Sequence, residues 1–154
     1  MLEQNDDYWM EFAFKEAEKA YRKDEVPIGA VIVHQSQIIA RGFNQVEMLK
    51  DPTAHAEMLA ITAAADHLDA RRLLNTTLYV TLEPCSMCAG AIVLSRIPRL
   101  VFGASDPKGG ACGTLFNIVQ DQRLNHQLSV TGGVLEQKCS LILSDFFRRL
   151  RNTN

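Results

Sequence analysis

The chain has 154 residues, 47% hydrophobic and 22% charged, with 16 basic and 18 acidic side chains and a net charge of −2. That is one domain's length, residues 1–154 taken together, with enough apolar side chains for a buried core. Near-neutrality excludes a whole-molecule field that gathers nucleic acid. No apolar run approaches the roughly 18 residues of a membrane span, so no membrane partner is expected.

The N-terminal stretch MLEQNDDYWM has neither a basic start nor an apolar core, unlike a secretory leader. A cytoplasmic location follows as the expectation. In that setting four cysteines, two of them three apart, read as metal ligands rather than as a disulfide framework. The charge is uneven along the chain: residues 1–70 carry −7 and residues 71–154 carry +5. Either the basic half forms a local patch for phosphates or the two halves interleave and cancel in space.

From Tyr8 to Lys23, Met10, Ala13, Phe14, Ala17 and Tyr21 form one helical stripe, with charged residues opposite. Pro27 ends that region. Residues 28–34 and 37–43 are β-prone and separated by Gln35-Ser36, which predicts a hairpin without the usual glycine or asparagine. Asn44 follows, a turn residue or a two-way hydrogen-bonder for a base edge. Asp51-Pro52-Thr53 reads as a helix start, the helix running to about Leu68, apolar on most sides and therefore buried.

Residues 78–82 predict an interior strand closed by Pro84, and a helix from Ser86 to Ser95 places Cys85 and Cys88 at its N-terminus. Residues 99–104 form the next strand, in a parallel crossover. The loop SDPKGGACGT lacks the Walker spacing, which removes a nucleotide-phosphate cradle. A short helix is expected at Phe116–Gln122, a strand at Gln127–Thr131, and a last helix at Val134–Arg151. That helix buries Leu135, Cys139, Ile142, Phe146 and Leu150.

Two stretches carry chemistry. His55-Ala56-Glu57 opens one helix, and Pro84-Cys85-Ser86-Met87-Cys88 opens another. His55, Cys85 and Cys88 are three zinc ligands, which leaves a tetrahedral ion one open position, as catalytic sites do. A structural zinc would need a fourth ligand from Cys112, Cys139, His34, His67 or His126. A redox dithiol would leave His55 and Glu57 without a role. Zinc at an open position lowers the pKa of its water to about 7. Glu57, beside the metal but not on it, would then serve as base and afterwards as acid.

His-x-Glu followed by Pro-Cys-x-x-Cys is the signature of zinc nucleobase deaminases. Around it, residues 26–30, 51–57, 83–92, 95–97, 101–104, 106–108, 124–126 and 144–148 together resemble the bacterial tRNA adenosine deaminases, a similarity spanning Tyr8 to Arg149. Cys112 and Thr114 stand where that family more often has alanine and serine. The resemblance implies a cytidine-deaminase-like three-layer α/β/α sandwich around a five-stranded mixed sheet. It also implies one zinc per chain, a homodimer, and conversion of adenosine to inosine at the wobble position of a tRNA anticodon loop. By the same resemblance Glu57 is catalytic and His55, Cys85 and Cys88 hold the metal. Asn44 meets the base or its ribose, Pro27 and Pro84 border the substrate, and Lys108, Arg148 and Arg149 approach RNA phosphates. The Glu-Pro-Cys-x-Met-Cys core alone also suits a deaminase of a free guanine or cytosine, and a non-enzymatic zinc-stabilised RNA-binding module is the remaining alternative.

Overall fold

The structure, a computed structural model, describes residues 4–153; the first three residues of the stretch read above as unlike a leader, and Asn154, lie outside them. Asn5 starts α1 (Asp6–Arg22) by accepting the Tyr8 N–H on its side chain, with Asp6 and Asp7 favourably placed in the first turn. β1 (Gly29–His34) and β2 (Gln37–Phe43) form the expected hairpin. Its two turn residues, Gln35 and Ser36, both adopt positive φ, at 51° and 58°. That is the geometry a right-twisted two-residue hairpin demands even without glycine.

β1 pairs antiparallel with both β2 and β3 (Thr76–Leu82), while β3, β4 (Arg99–Ala104) and β5 (Ser129–Thr131) run parallel, giving the order β2-β1-β3-β4-β5. The five-stranded mixed sheet is therefore as expected. A short helix, α2 (Val46–Leu49), follows β2 and has no counterpart in the sequence reading. α3 (Ala56–Leu68) and α4 (Ser86–Leu94) pack on one face of the sheet, sharing a core with Ile32, Leu78, Val80 and Leu100. α1 covers the other face with Trp9, Met10 and Ala13 against Val31, Tyr79 and Val101. Val134 and Leu135 join that cluster at the start of α5 (Glu136–Asn152). This is the three-layer α/β/α sandwich of a cytidine-deaminase-like fold.

Several boundaries move, each for a local reason. Asp51 does not cap a helix; its carboxylate accepts from Thr53 N at 2.8 Å and Thr53 Oγ1 at 2.7 Å, closing a turn on itself. The helix begins instead at Ala56, with His55 as its N-cap. α3 is not buried all round: Ala56, Ala60 and Ala64 are fully enclosed, while Thr62 and Ala63 face solvent. The short helix expected at residues 116–122 shrinks to a single 3₁₀ turn, Ile118–Gln120. On α5, Cys139 and Phe146 are buried as expected, but Leu150 is 46% exposed because the helix end runs past the sheet.

The uneven charge resolves into interleaving. Asp6 pairs with Arg99 at 2.7 Å, Glu11 with Lys138 at 2.8 Å and Asp24 with Arg149 at 2.9 Å, each bridging the acidic and basic halves. Among the described residues no helix is long and apolar enough to cross a membrane.

Candidate metal centre and its surroundings

β2 and β3 flank β1 and both run against it, so they run parallel to each other and end on the same side of the sheet. Each is followed by a helix on the same face, which brings the starts of α3 and α4 together. Close packing sharpens the placement. A Cβ on Gly42 would lie 2.4 Å from the Ala56 carbonyl, so only glycine lets the first turn of α3 rest on β2. Asn44, 5% exposed, fixes the same turn by accepting the Ala56 N–H on Oδ1 at 2.8 Å.

His55 is the N-cap of α3 and Cys85 the N-cap of α4, with Cys88 one turn on. The Nδ1 of His55 lies 3.6 Å from each sulfur, and the three donor atoms all fall within 4.8 Å of one another. Tetrahedral nitrogen and sulfur ligands, at about 2.0–2.1 and 2.3 Å from zinc, stand about 3.6 Å apart. The donor set therefore fits a zinc-sized tetrahedral ion with three protein ligands. Cys112, the loop thiol left open as a fourth ligand, is buried outside the group, 3.9 Å from the Pro84 carbonyl. Cys139 is core, against Gly103.

Electrostatics prepare the thiols. Hydrogen bonding to Cys88 and then to His55 pulls the Cys85 thiol down to about 3. Cys85 and burial push Cys88 the other way, and Cys85 holds the His55 imidazole above its ordinary value. Both helix N-termini point their dipoles at the cluster, which favours thiolate. Glu57, 4% exposed and two residues from His55, stands beside the ligand group without belonging to it. Burial raises its carboxyl to about 7, where a group both takes and returns protons readily.

Two cavities open beside the centre. The larger, about 710 Å³, contains no ligand residue and runs between the loop carrying Lys108 and the end of α5. The smaller, about 460 Å³, contains His55 and Asn44 and is the one the chemistry selects. Val26, Phe147 and Leu150 line both.

The predicted site residues divide accordingly. His55, Glu57, Cys85 and Cys88 converge, and Asn44 faces the adjoining cavity. Lys108 is exposed on the rim of the larger one. Pro27 and Pro84 are buried and line neither cavity, although the Pro84 carbonyl accepts Ala111 N at 2.9 Å. Arg148 and Arg149 lie on the outer side of α5, where Arg149 pairs with Asp24 and sits 4.4 Å over the Tyr21 ring.

Two residues, both acids, were missed, and one arginine of the last helix lies apart from Arg148 and Arg149. Arg151, in the final arginine cluster, lines the larger cavity. Two buried acids, Glu25 and Glu83, are 1% and 2% exposed. Glu25 accepts Glu47 N at 3.0 Å and Met48 N at 2.7 Å, holding α2 against the smaller cavity. A carboxylate inside an otherwise apolar stretch, as in Glu25-Val26-Pro27 and Leu82-Glu83-Pro84, was the available signal.

A profile of the MafB19-like deaminase family matches residues 4–151. The chain is 57% identical over 146 residues to a tRNA-specific adenosine deaminase of Bacillus subtilis (strain 168), covering 95% of this chain and 91% of that one. It belongs to the tRNA-specific adenosine deaminase family. A Haemophilus influenzae relative of the same description is 52% identical over 147 residues, 95% of this chain and 85% of that one. A solved structure from studies of A-to-I editing by tRNA:A34 deaminases at the wobble position of transfer RNA superposes with a TM-score of 0.85. It is 46% identical, over 88% of this chain and 99% of that one. The fold of that solved structure thus coincides with the three-layer architecture.

Proposed function

We propose that this chain, acting as one zinc-dependent deaminase domain, hydrolyses adenosine to inosine at the wobble position of a tRNA anticodon in the cytoplasm. The observation carrying this reading is the three-ligand group with its 3.6 Å nitrogen–sulfur separations and the buried Glu57 alongside. About one zinc ion per chain, held by His55, Cys85 and Cys88, supplies Lewis-acid activation of water when bound.

The remaining steps belong to the chain's own residues. Glu57 takes a proton from the attacking water as its oxygen bonds to carbon 6 of adenine. It returns that proton to the exocyclic nitrogen, which leaves as ammonia. Burial keeps Glu57 near neutral pKa for both transfers. Asn44, its Oδ1 committed to Ala56, presents its amide NH₂ to the base or ribose in the smaller cavity. An anticodon loop is single-stranded, so turning one base into that cavity costs little compared with opening a duplex. Pro27 and Pro84 stiffen the chain at the two borders of the site.

The RNA backbone follows Lys108, with Arg148 and Arg149 along α5 and Arg151 between them and the loop. Arg149 is drawn to a phosphate by exchanging Asp24, an exposed pair of a kind worth at most about 1 kcal/mol.

The same reading includes a homodimer. α4 buries Cys88, Ala89, Ile92 and Val93 and turns Met87, Gly90, Ala91 and Leu94 outward at i, i+3, i+4, i+7 spacing. Leu94 is 77% exposed, and nothing lies within 4 Å of where a Gly90 Cβ would stand. An apolar stripe with an open glycine is a surface built for close approach by another chain.

The deciding assay incubates the protein with an anticodon stem-loop bearing a wobble adenosine, and separately with free adenosine, guanine and cytosine, measuring ammonia and inosine. Inosine in the stem-loop is the expected product. Turnover confined to a free base would replace the RNA reading with a small-molecule deaminase.

A further inference from the structure

Glu83 ends the β3 corner two residues before Cys85, yet it takes no part in the metal group. Both of its oxygens turn to the segment after β4. Oε1 accepts the backbone N–H of Asp106 at 3.1 Å and the Thr114 hydroxyl. Oε2 accepts the backbone N–H of Cys112 at 3.0 Å and of Thr114 at 3.1 Å. An ionised carboxylate is acceptor-only, so one side chain meets four donors from a single loop. Two backbone bonds reinforce the strap, Glu83 N to Ala104 O at 2.8 Å and Ala111 N to Pro84 O at 2.9 Å. Gly110 completes it: a Cβ there would stand 2.5 Å from the Glu83 carboxylate.

The tethered loop is the one that carries function. Ser105, Asp106, Pro107 and Lys108 form one wall of the larger cavity, with α5 opposite. Binding loops without such ties are mobile, and ordering them on binding costs free energy. The tie originates in the short corner that also supplies Cys85 and Cys88, so one rigid turn sets both the metal ligands and the loop.

We propose that Glu83 is a positioning residue for RNA recognition, holding residues 105–114 in the shape that presents Lys108 to the substrate and keeping that loop in register with the metal centre. This rests on the RNA reading above. Glu83 touches neither the reacting atoms nor the metal ligands; it acts through the loop.

The test is Glu83→Gln, which keeps the shape but sets an amide NH₂ against backbone N–H donors. Metal content stays at the wild-type level and kcat on the stem-loop stays within about threefold, while KM rises about tenfold or more. Hydrogen exchange accelerates at the amides of Asp106, Cys112 and Thr114. Thr114→Val shifts KM in the same direction by less, and Thr114→Ser restores it. That pair carries the test if Glu83→Gln does not fold. Faster exchange with unchanged KM overturns the proposal, as does joint loss of metal and kcat at constant KM. A wild-type protein inactive on the stem-loop would instead overturn the RNA reading. An active wild type with an unaltered Glu83→Gln KM overturns only the role of Glu83.

Discussion

The α3/α4 layer and the α1/α5 layer cover opposite faces of one sheet but are made of different material. α3 meets the sheet through alanines at positions 56, 60 and 64, and α4 shares the same core through Ala89, Ile92 and Val93. Small side chains let α3 sit close against β1 and β2, and the outer side of α4 stays largely apolar. α1 and α5 are amphipathic, and they are joined by Lys138–Glu11 and Tyr21–Asp145, with Arg149 reaching Asp24 just past the end of α1. The first layer supplies all three residues of the candidate metal group, His55, Cys85 and Cys88, and Glu57. The second supplies none, but through Phe147 and Leu150 it walls both cavities. Chemistry resides where backbone is pinned by close packing, whereas the substrate-facing wall stands on a helix held partly by exposed polar contacts, which are individually weak.

The sharpest way to break this contrast is at Glu57. Glu57→Ala removes the proton carrier and leaves the ligand set, so turnover falls by about 10²–10⁴-fold while metal content is retained. Ammonia release and metal analysis on the same sample check both halves. Cys88→Ser, by contrast, takes a ligand away and empties the centre of metal along with activity. Retained turnover in Glu57→Ala would assign the proton transfers to a group other than Glu57, outside this layer's first turn.

The outer side of that layer gives the next effect. Leu94→Asp, or a bulky Gly90→Trp, converts a dimer into a monomer in light scattering or sedimentation while circular dichroism stays unchanged. The fold tolerates both because Leu94 is 77% exposed and the space above Gly90 is open. A dimer that survives both substitutions would shift the partner surface away from α4.

Much of this division was legible in residue order. The 3.6-residue stripe of α1, the hairpin around Gln35-Ser36 and the helix opening at Ser86 all lie where periodicity placed them, because each is set by local pattern and burial. The convergence of His55, Cys85 and Cys88 was legible for a different reason: His-x-Glu and Cys-x-x-Cys restrict chemistry whatever the fold. What escaped depends on distant partners. Asp51 looked like a cap until its own turn absorbed its carboxylate, and α2 exists because Glu25, more than twenty residues earlier in the chain, satisfies its first N–H groups. Leu150 continued the apolar stripe of α5, yet no sheet lies beneath it. Arg149 sat in a basic cluster that suits phosphate, and only the packing of α5 on α1 reveals Asp24 and Tyr21 as its neighbours.

The polar ties of the α1/α5 layer are not all weak, and pH separates the strong one. Asp6 accepts two hydrogen bonds from the Arg99 guanidinium, at 2.8 and 2.7 Å, and one from the Tyr79 hydroxyl at 3.0 Å, linking the start of α1 to β3 and β4. Arg99 above all holds its carboxyl below the ordinary value of 3.8. A folded-state pKa lower than the unfolded one adds stability that is fully present above about pH 4 and disappears as pH falls through the folded value. Asp6→Asn should therefore cost about 1–3 kcal/mol at neutral pH. Denaturant titrations of wild type and variant would converge as pH drops below the folded value, where the wild-type carboxyl is itself protonated. A gap that persisted unchanged into strong acid would mean that Asp6 contributes shape at the α1 N-terminus and not charge, making this layer as dependent on packing as the one that bears the metal ligands.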